Sequence, residues 1–487
     1  MFLAGLSRIY CRGLSPCDAA SLAVFRIALG LSVAWFAYAT LTTGSLQADY
    51  LQPVFHLTYP GLDWVRPWPG NGMNVHFVVL LLAAICFALG LLYRTVAVVM
   101  CLAVTHVFLI ERSVYNNHNY LVVLLSLLST MMPLHRVWSI DALGRDETVA
   151  ATVPVWMLWL LRFQIGLVYF FGGVAKLDAD WLAGQPMRMW LAAKTNAPLI
   201  GPYASQEWVV MVFVWGGLLI DLLAVPCLMW RRTRALMFAV LMTFHTINSQ
   251  LFNISFFPWL MMIATAMFFT PNWPRRLLRL EHPAALTSPL PRLAWSLRGR
   301  IGCSLLAGYV ILQLTLPLRH LAYSGNPSWT EEGQLFAWRM MLRQKMTAIR
   351  FIGTEPATQR GGTIDIRRYL TPRQRAALSR DPALIVQFAH KLAEHFARNG
   401  APNLEIRVKA WVSLNGRQPQ LLVDPSIDLT KLPRRGGDSA WIMPLTEPYR
   451  HDAWNVPVSQ WEKILEQNPQ RIEITSRPAA ALSSIGP

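Results

Sequence analysis

The chain has 487 residues, 54% of them hydrophobic and only 15% charged, with a formal net charge of +17 and a mean hydropathy of +0.33. Soluble domains carry roughly 25% charged residues, so a wholly soluble protein is excluded. Long apolar runs fill residues 19 to 318, and the remainder reads as an ordinary polar domain; this is the pattern of an integral membrane protein with one soluble appendage.

A transmembrane helix needs ~20 mostly apolar residues. Nine runs come near that length, at 19–42, 75–93, 95–111, 119–134, 154–174, 207–230, 235–250, 252–270 and 301–318. The seventh and eighth are short and suit tilted or partly re-entrant segments. The first is long and carries Arg26 in its interior, so it reads as a span, and "AYA" at 37–39 is a weak cleavage cue. "RRTR" at 231–234 and the arginine-rich stretch 275–300 belong on the cytoplasmic side by the positive-inside rule. "YRT" at 93–95 and the stretch from Arg136 to Arg145 agree with that side. Alternating nine spans through these anchors places the N-terminus in the cytoplasm, in an inner (cytoplasmic) membrane, and the C-terminal domain in the periplasmic or extracellular space.

The predicted architecture is therefore mainly α: a polytopic membrane helix bundle of about nine transmembrane helices over 1–318, a C-terminal α+β extracytoplasmic domain over 319–475, and a loose tail over 476–487. In the C-terminal domain "TAIRFIG" and "LEIRVKAWVSL" alternate as half-buried strands, and Asn415-Gly416 is a hairpin-turn signal before "QPQLLVD". The stretch 371–400 reads as two helices, the second ending on Asn399-Gly400. Basic side chains outnumber acidic ones from residue 319 on, a surface that suits acidic peptides or anionic headgroups, or simply water. No nucleic-acid partner is expected.

The polar residues of the apolar half gather at the ends of spans. "NNHNY" (116–120) joins spans three and four, "AKLDADW" follows span five, and "FHTINSQLFN" (244–253) joins spans seven and eight. "YSGNPSWTEEGQLFAWRMML" (323–342) follows span nine, and the alternation puts all four on the outer face. Each has a plain structural reading. Lys176 can cap its helix through the last carbonyls and the dipole, His118 can sit in a solvated turn, and His245 can bond a neighbouring helix. Trp329 and Trp338 can anchor at the interface. Arg26 and Asp221, inside spans, can be structural ion-pair or hydrogen-bond partners. The chemical reading makes Lys176 a base at the bilayer edge, where desolvation disfavours its charged form. Asn and His donors would then stabilise developing oxyanions. Gly172 and Gly173 would let a ring or a neighbouring helix come close. His106, His118, His135 and His245 occur singly without helical spacing, and the six cysteines form no ligand cluster. Neither haem, zinc nor any other metal is expected.

The motifs "DAASLAVFRIALG" (18–30), "YNNHNYL" (115–121), "WSIDAL" (138–143), "VYFFGGVAKLDADWL" (168–182), "FHTINSQLF" (244–252), "PNWPRR" (271–276), "WRMML" (338–342), "WVSLNGR" (411–417) and "VDPSIDL" (423–429) run in order along the chain. Together they resemble the vitamin K-dependent gamma-glutamyl carboxylases, in a bacterial form, whose membrane part is called the horizontally transferred transmembrane domain. The resemblance implies a carbon–carbon lyase that uses reduced vitamin K (phylloquinol or menaquinol), O2 and CO2. A lysine takes a proton from the reduced naphthoquinone, and the oxygenated product removes a γ-proton from a glutamate side chain. The carbanion captures CO2 and the quinone leaves as an epoxide. The family's base falls on Lys176, its asparagine and histidine on Asn117 and His118, and its second histidine on His245. Cofactor contacts are expected from Gly172, Gly173, Asn248 and Gln250, and substrate contacts from Trp329, Trp338, Met340, Met341 and Lys345. The implied partners are the lipid bilayer, a quinone and a glutamate-containing polypeptide. Where animal carboxylases have a tyrosine-rich segment this chain has "EEGQLFAW", with Gln334 and Phe336, and it stops at 487 where theirs continue; both differences bear on polypeptide recognition. A quinol epoxidase without carboxylation and a non-catalytic membrane scaffold or lipid-binding protein are the alternative functions.

Overall fold

The computed structural model describes residues 13–144, 151–197, 200–252, 254–280, 297–434 and 439–467. Cys11, Arg145, Asn253, most of the 275–300 stretch and the expected tail lie outside them. Each of the nine apolar runs forms a helix: α1 (Ala20–Thr42), α2 (Gly72–Leu89), α3 (Tyr93–Ile110), α4 (Asn117–Met131), α5 (Val155–Ala175), α6 (Glu207–Met229), α7 (Arg234–Leu251), α8 (Phe257–Thr265) and α9 (Leu297–Thr315). Six helices are long and apolar enough to cross a membrane: α1, α2, α3, α5, α6 and the stretch Gly299–Ala322 that holds most of α9. The expected count of nine thus falls to six by length and apolarity. Helix α4 has 15 residues, α7 carries the polar stretch from Thr243 to Gln250, and α8 has 9 residues before a 3-10 turn at Ala266–Phe268. Leu31, Leu82, Leu102, Leu219 and Leu305 are exposed around the bundle. An apolar belt of this kind is stable only against lipid or another apolar surface.

The helices run between two ends. At one end β1 (Pro16–Asp18) pairs antiparallel with β2 (Thr152–Pro154), Asp18 pairs with Arg275, and the Ser21 amide donates to the Pro271 carbonyl. Arg136, Arg231 and Arg232 lie in the connections at this end, and Arg94 and Arg234 in the first turns of α3 and α7. Arg26 fastens it from inside. Its guanidinium donates to the carbonyls of Ala88 at 3.2 Å, Leu134 at 3.0 Å, Val137 at 3.4 Å and Trp138. Its role is hydrogen-bonding, as a buried arginine without an acidic partner requires.

The opposite end carries the C-terminal domain. Strands β3 (Lys345–Glu355), β4 (Arg360–Ile364), β5 (Glu405–Leu414) and β6 (Gln420–Leu421) form an antiparallel sheet in the order β4-β3-β5-β6, with Lys345 opposite Leu414 and Thr354 opposite Glu405. Helices α10 (Pro372–Leu378) and α11 (Pro382–Arg398) build one core with it, around Phe351, Phe388 and Val408. Helix α12 (Val458–Glu466) covers Trp411 and Leu421 with Trp461 and Leu465. The turn at Asn415-Gly416 has positive φ at both residues, 52° and 79°, the geometry this pair favours. The α1–α2 loop enters the domain: Leu57 is fully buried in its core, and Thr58 exchanges bonds with Gln387 at 3.0 and 3.1 Å.

Each carbonyl stripped of its buried donor costs about 1–3 kcal/mol. Arg26→Met, which removes four such bonds, is expected to abolish folded, monodisperse protein on fluorescence-detected gel filtration. A normal elution profile would show that the guanidinium does not hold this end together.

Candidate active site

Between the bundle and the C-terminal domain lies a cavity of about 400 Å³, within the ~300–1,000 Å³ range of small-molecule sites. The four polar segments meet there. Asn116, Asn117 and His118 come from the start of α4, Lys176 from the end of α5, His245 and Asn248 from α7, and Glu331 to Arg343 from the segment after α9.

Lys176 terminates α5. Its Nζ donates to the Gly172 carbonyl at 3.3 Å, the capping bond expected of such a lysine, and also to Asp221 Oδ2 on α6 at 2.5 Å. Both partners are 6% exposed, and the ammonium lies 5.5 Å from the Trp181 ring centroid. The pair forms because the two helices touch. A Cβ on Gly173 would lie 3.0 Å from the Leu222 backbone nitrogen and 2.7 Å from Leu222 Cδ2. Gly173 therefore serves helix–helix approach and does not line the cavity. Gly172 is likewise outside the lining, with Asp221 Oδ2 and Met340 Cε at 3.3 and 3.4 Å from where its Cβ would stand. Asp221, read from the sequence only as a structural ion-pair or hydrogen-bond partner, is a cavity residue paired with Lys176; its signal was one acid inside an apolar span.

His245 Nε2 is 2.8 Å from the Tyr169 hydroxyl, which is 2.9 Å from Thr265 Oγ1. Thr265 spends its own proton on the Met261 carbonyl at 2.7 Å. Tyr169 must therefore donate to Thr265 and accept from His245 Nε2, which leaves Nδ1 of a neutral His245 as an acceptor. The His118 ring stacks on Phe257 at 4.2 Å, and its Nδ1 is buried without a partner. Asn117 accepts the Tyr115 hydroxyl at 3.0 Å through Oδ1, so its amide NH2 remains to donate. Asn248 lines the cavity, whereas Gln250 is exposed and does not.

The substrate-contact expectations divide. Met340 and Met341 line the cavity; Trp329, Trp338 and Lys345 do not. All three Lys345 protons are taken, by Trp329 O at 2.6 Å, Arg380 O at 2.7 Å and Glu331 at 2.8 Å. Trp329 donates to the Met443 carbonyl inside the domain core, and Trp338 packs on Tyr120 at 5.0 Å. These residues hold in place the segment from Glu331 to Arg343, the roof of the cavity. Burial alone would raise the Glu331 carboxyl, but Arg343, bonded at 2.6 Å through both nitrogens, and Lys345 hold it below the usual carboxylate range. Burial pushes Asp381 up despite its Arg112 partner, and pushes the Arg339 guanidinium down.

The HTTM domain family matches residues 14–273, more than half of the chain, and the vitamin K-dependent gamma-carboxylase lumenal domain family matches residues 298–448. The chain belongs to the gamma-carboxylase family. No solved structure matches it. The two matched regions of this gamma-carboxylase family member correspond to helices α1 to α8 and to α9 with the roof and the sheet domain, and the cavity lies where they meet. Among the described residues no group of His, Cys, Asp or Glu is arranged to hold a metal ion.

Removing one partner of a buried ion pair costs about 3–5 kcal/mol, whereas replacing both by apolar residues is often near neutral. Asp221→Leu should therefore lower thermal stability in detergent strongly, and the double variant Lys176→Met/Asp221→Leu should recover most of the loss. Additive losses would show that the two side chains are not coupled.

Proposed function

We propose that this protein is a vitamin K-dependent gamma-carboxylase-like enzyme: it uses a reduced naphthoquinone, O2 and CO2 to carboxylate glutamate side chains, with coupled formation of the quinone epoxide. The observation that carries the reading is the Lys176–Asp221 pair, buried in a cavity that also holds His118, Asn117 and His245. A membrane scaffold has no use for this set. The cavity suits a flat, apolar ring bearing oxygens. Val168, Phe213, Phe244, Phe252 and Phe257 supply apolar walls, while the unpartnered His118 Nδ1 and the free Asn117 amide await polar partners.

When bound, the reduced quinone with O2 supplies the strong base that takes a γ-proton and leaves as epoxide. The chain's own contribution begins with proton handling at Lys176. An opposing carboxylate favours the ammonium form, so burial alone does not free the amine. In an apolar setting the attraction within an ion pair is offset by its desolvation. The shared proton can then sit on Asp221, and the Lys176 amine accepts one from an acidic hydroxyl. Asn117 donates to an oxygen that gains charge, and His245, fixed by Tyr169, accepts or returns a proton through Nδ1. The apolar walls and the roof limit the water that reaches a reactive carbanion.

Orientation follows from charge. Arg94, Arg136, Arg231, Arg232, Arg234, Arg275, Arg276 and Arg279 lie at the end away from the cavity, against Arg66, Arg112 and Arg188 in the loops of the cavity end; by the positive-inside rule this excess puts the far end in the cytoplasm of a cell whose inner membrane holds the protein. The cavity and the C-terminal domain then face outward. Thr233→Cys is expected to be shielded from an impermeant thiol reagent in intact cells and Thr430→Cys to react; the reverse pattern would overturn this placement.

Lys176→Arg tests the chemistry. Arginine keeps the charge, the Asp221 pair and the capping donors, yet it does not release its proton. The variant should fold and lose about 10²–10⁴-fold of both epoxide formation and label uptake from bicarbonate into a glutamate-rich peptide. Full activity would end the assignment of Lys176 as the base. Epoxide without peptide label in the native protein would identify a quinol epoxidase.

A further inference from the structure

Arg339 lines the cavity and is 8% exposed, and its Nε is buried without a partner. Among the described residues no ion pair or hydrogen bond reaches its guanidinium; Asp178 and Glu331 act on it only through space. Its neighbours differ. Arg343 is bonded through two nitrogens to Glu331, and Arg112 is paired with Asp381. A buried guanidinium with no carboxylate is a strongly unfavourable arrangement in a resting protein. It makes sense where a ligand brings the missing anion.

We propose that Arg339 is the acceptor-binding residue, which receives the side-chain carboxylate of a glutamyl residue in the cavity; this deepens the carboxylase reading and rests on it. The guanidinium fork matches a carboxylate through two parallel hydrogen bonds, a geometry that neither an amide nor a neutral side chain reproduces. The position is apt. Arg339 lines the same cavity as Lys176 and Asp221, and the next residue, Met340, reaches Gly172 beside Asp221, so a carboxylate on Arg339 shares the space onto which that pair opens. Trp338 and Met341, on either side of Arg339 and Met340, both have positive φ, 56° and 57°, which fixes how this stretch presents its side chains.

The chemistry also calls for a cation. When the Cγ–H bond breaks, the proton goes to the base that the quinone and O2 supply, and the electron pair stays on carbon beside a carboxylate. That pair spreads into the carboxylate oxygens before forming the bond to CO2, and the added charge falls on the group that Arg339 holds.

Binding of two fluorescent peptides, identical except for glutamate or glutamine at one position, to the detergent-purified protein tests this directly. The native protein is expected to prefer the glutamate peptide. Arg339→Gln should weaken that peptide about tenfold or more and leave the glutamine peptide unchanged. The ligand-free Arg339→Gln protein should also melt at a higher temperature than the native one, because an uncompensated buried charge is gone; a lower melting temperature would indicate a structural arginine and overturn the proposal. If Arg339→Gln does not fold, Arg339→Lys, which keeps the charge but loses the fork, should still weaken the glutamate peptide severalfold. Unchanged preference in the folded variants refutes the Arg339 assignment and leaves the carboxylase reading standing. A native protein that binds neither peptide refutes both.

Discussion

An amine and a carboxylate 2.5 Å apart at the rim of an apolar bundle constrain everything around them. Neither Lys176 nor Asp221 is stable there alone, since an uncompensated charge in a water-poor site is several kcal/mol unfavourable. Together they require α5 and α6 to lie in contact. Gly173 permits that contact, and Gly217, beside the Lys176 chain with 3.8 Å from its would-be Cβ to Lys176 Cε, keeps the path clear. The order of causation runs from small residues to close helices, from close helices to a buried pair, and from the pair to the charged floor of the cavity.

The C-terminal domain is no appendage to this site. Arg417 grips Asp180, just after α5, at 2.5 and 2.6 Å, and Asn415 adds a bond at 2.9 Å. Glu111, at the end of α3, accepts from the Leu57 amide at 3.2 Å and from Gln374 at 2.9 Å. These buried contacts tie three inter-helix loops to the sheet domain and set the height of the segment from Glu331 to Arg343 above the cavity. A roof fixed by many satisfied polar bonds can expose a few unsatisfied ones without collapsing.

Much of this was legible in the sequence because the determining features are local. Apolar runs become helices, alternation becomes strands, and Asn415-Gly416 becomes a turn for backbone reasons. The grouping of "NNH", "AKLDADW", "FHTINSQLFN" and the post-α9 segment at one end followed from alternation alone. Pairings across the bundle were not legible. Asp221 could be flagged as an acid in a span, but its partner lies 45 residues away. Lys345 looked available in the string and proved to have every proton taken by groups 14 to 35 residues distant. Gln250 looked equivalent to Asn248, yet two residues along a helix turn a side chain by about 200°, and it faces away. The nine expected spans are not all confirmed, for local reasons: α4 and α8 have only 15 and 9 residues, and α7, with 18, ends in the polar stretch from Thr243 to Gln250.

The distribution of charge within the cavity completes the picture. Every carboxylate that lines it is already engaged: Asp221 with Lys176, Glu331 with Arg343 and Lys345, Asp381 with Arg112. The cations are not all engaged, so the lining carries a surplus of positive charge on the roof side and an overall neutral pair on the bundle side. A low-dielectric pocket magnifies that difference. An anionic group is drawn to the roof, and a neutral, flat, apolar molecule is better accommodated among the aromatic walls below. The cavity thus has a cationic side and an apolar side, with Met340 and the Lys176–Asp221 pair both in its lining, and the proposed function assigns the anionic acceptor to the first and the quinone ring to the second.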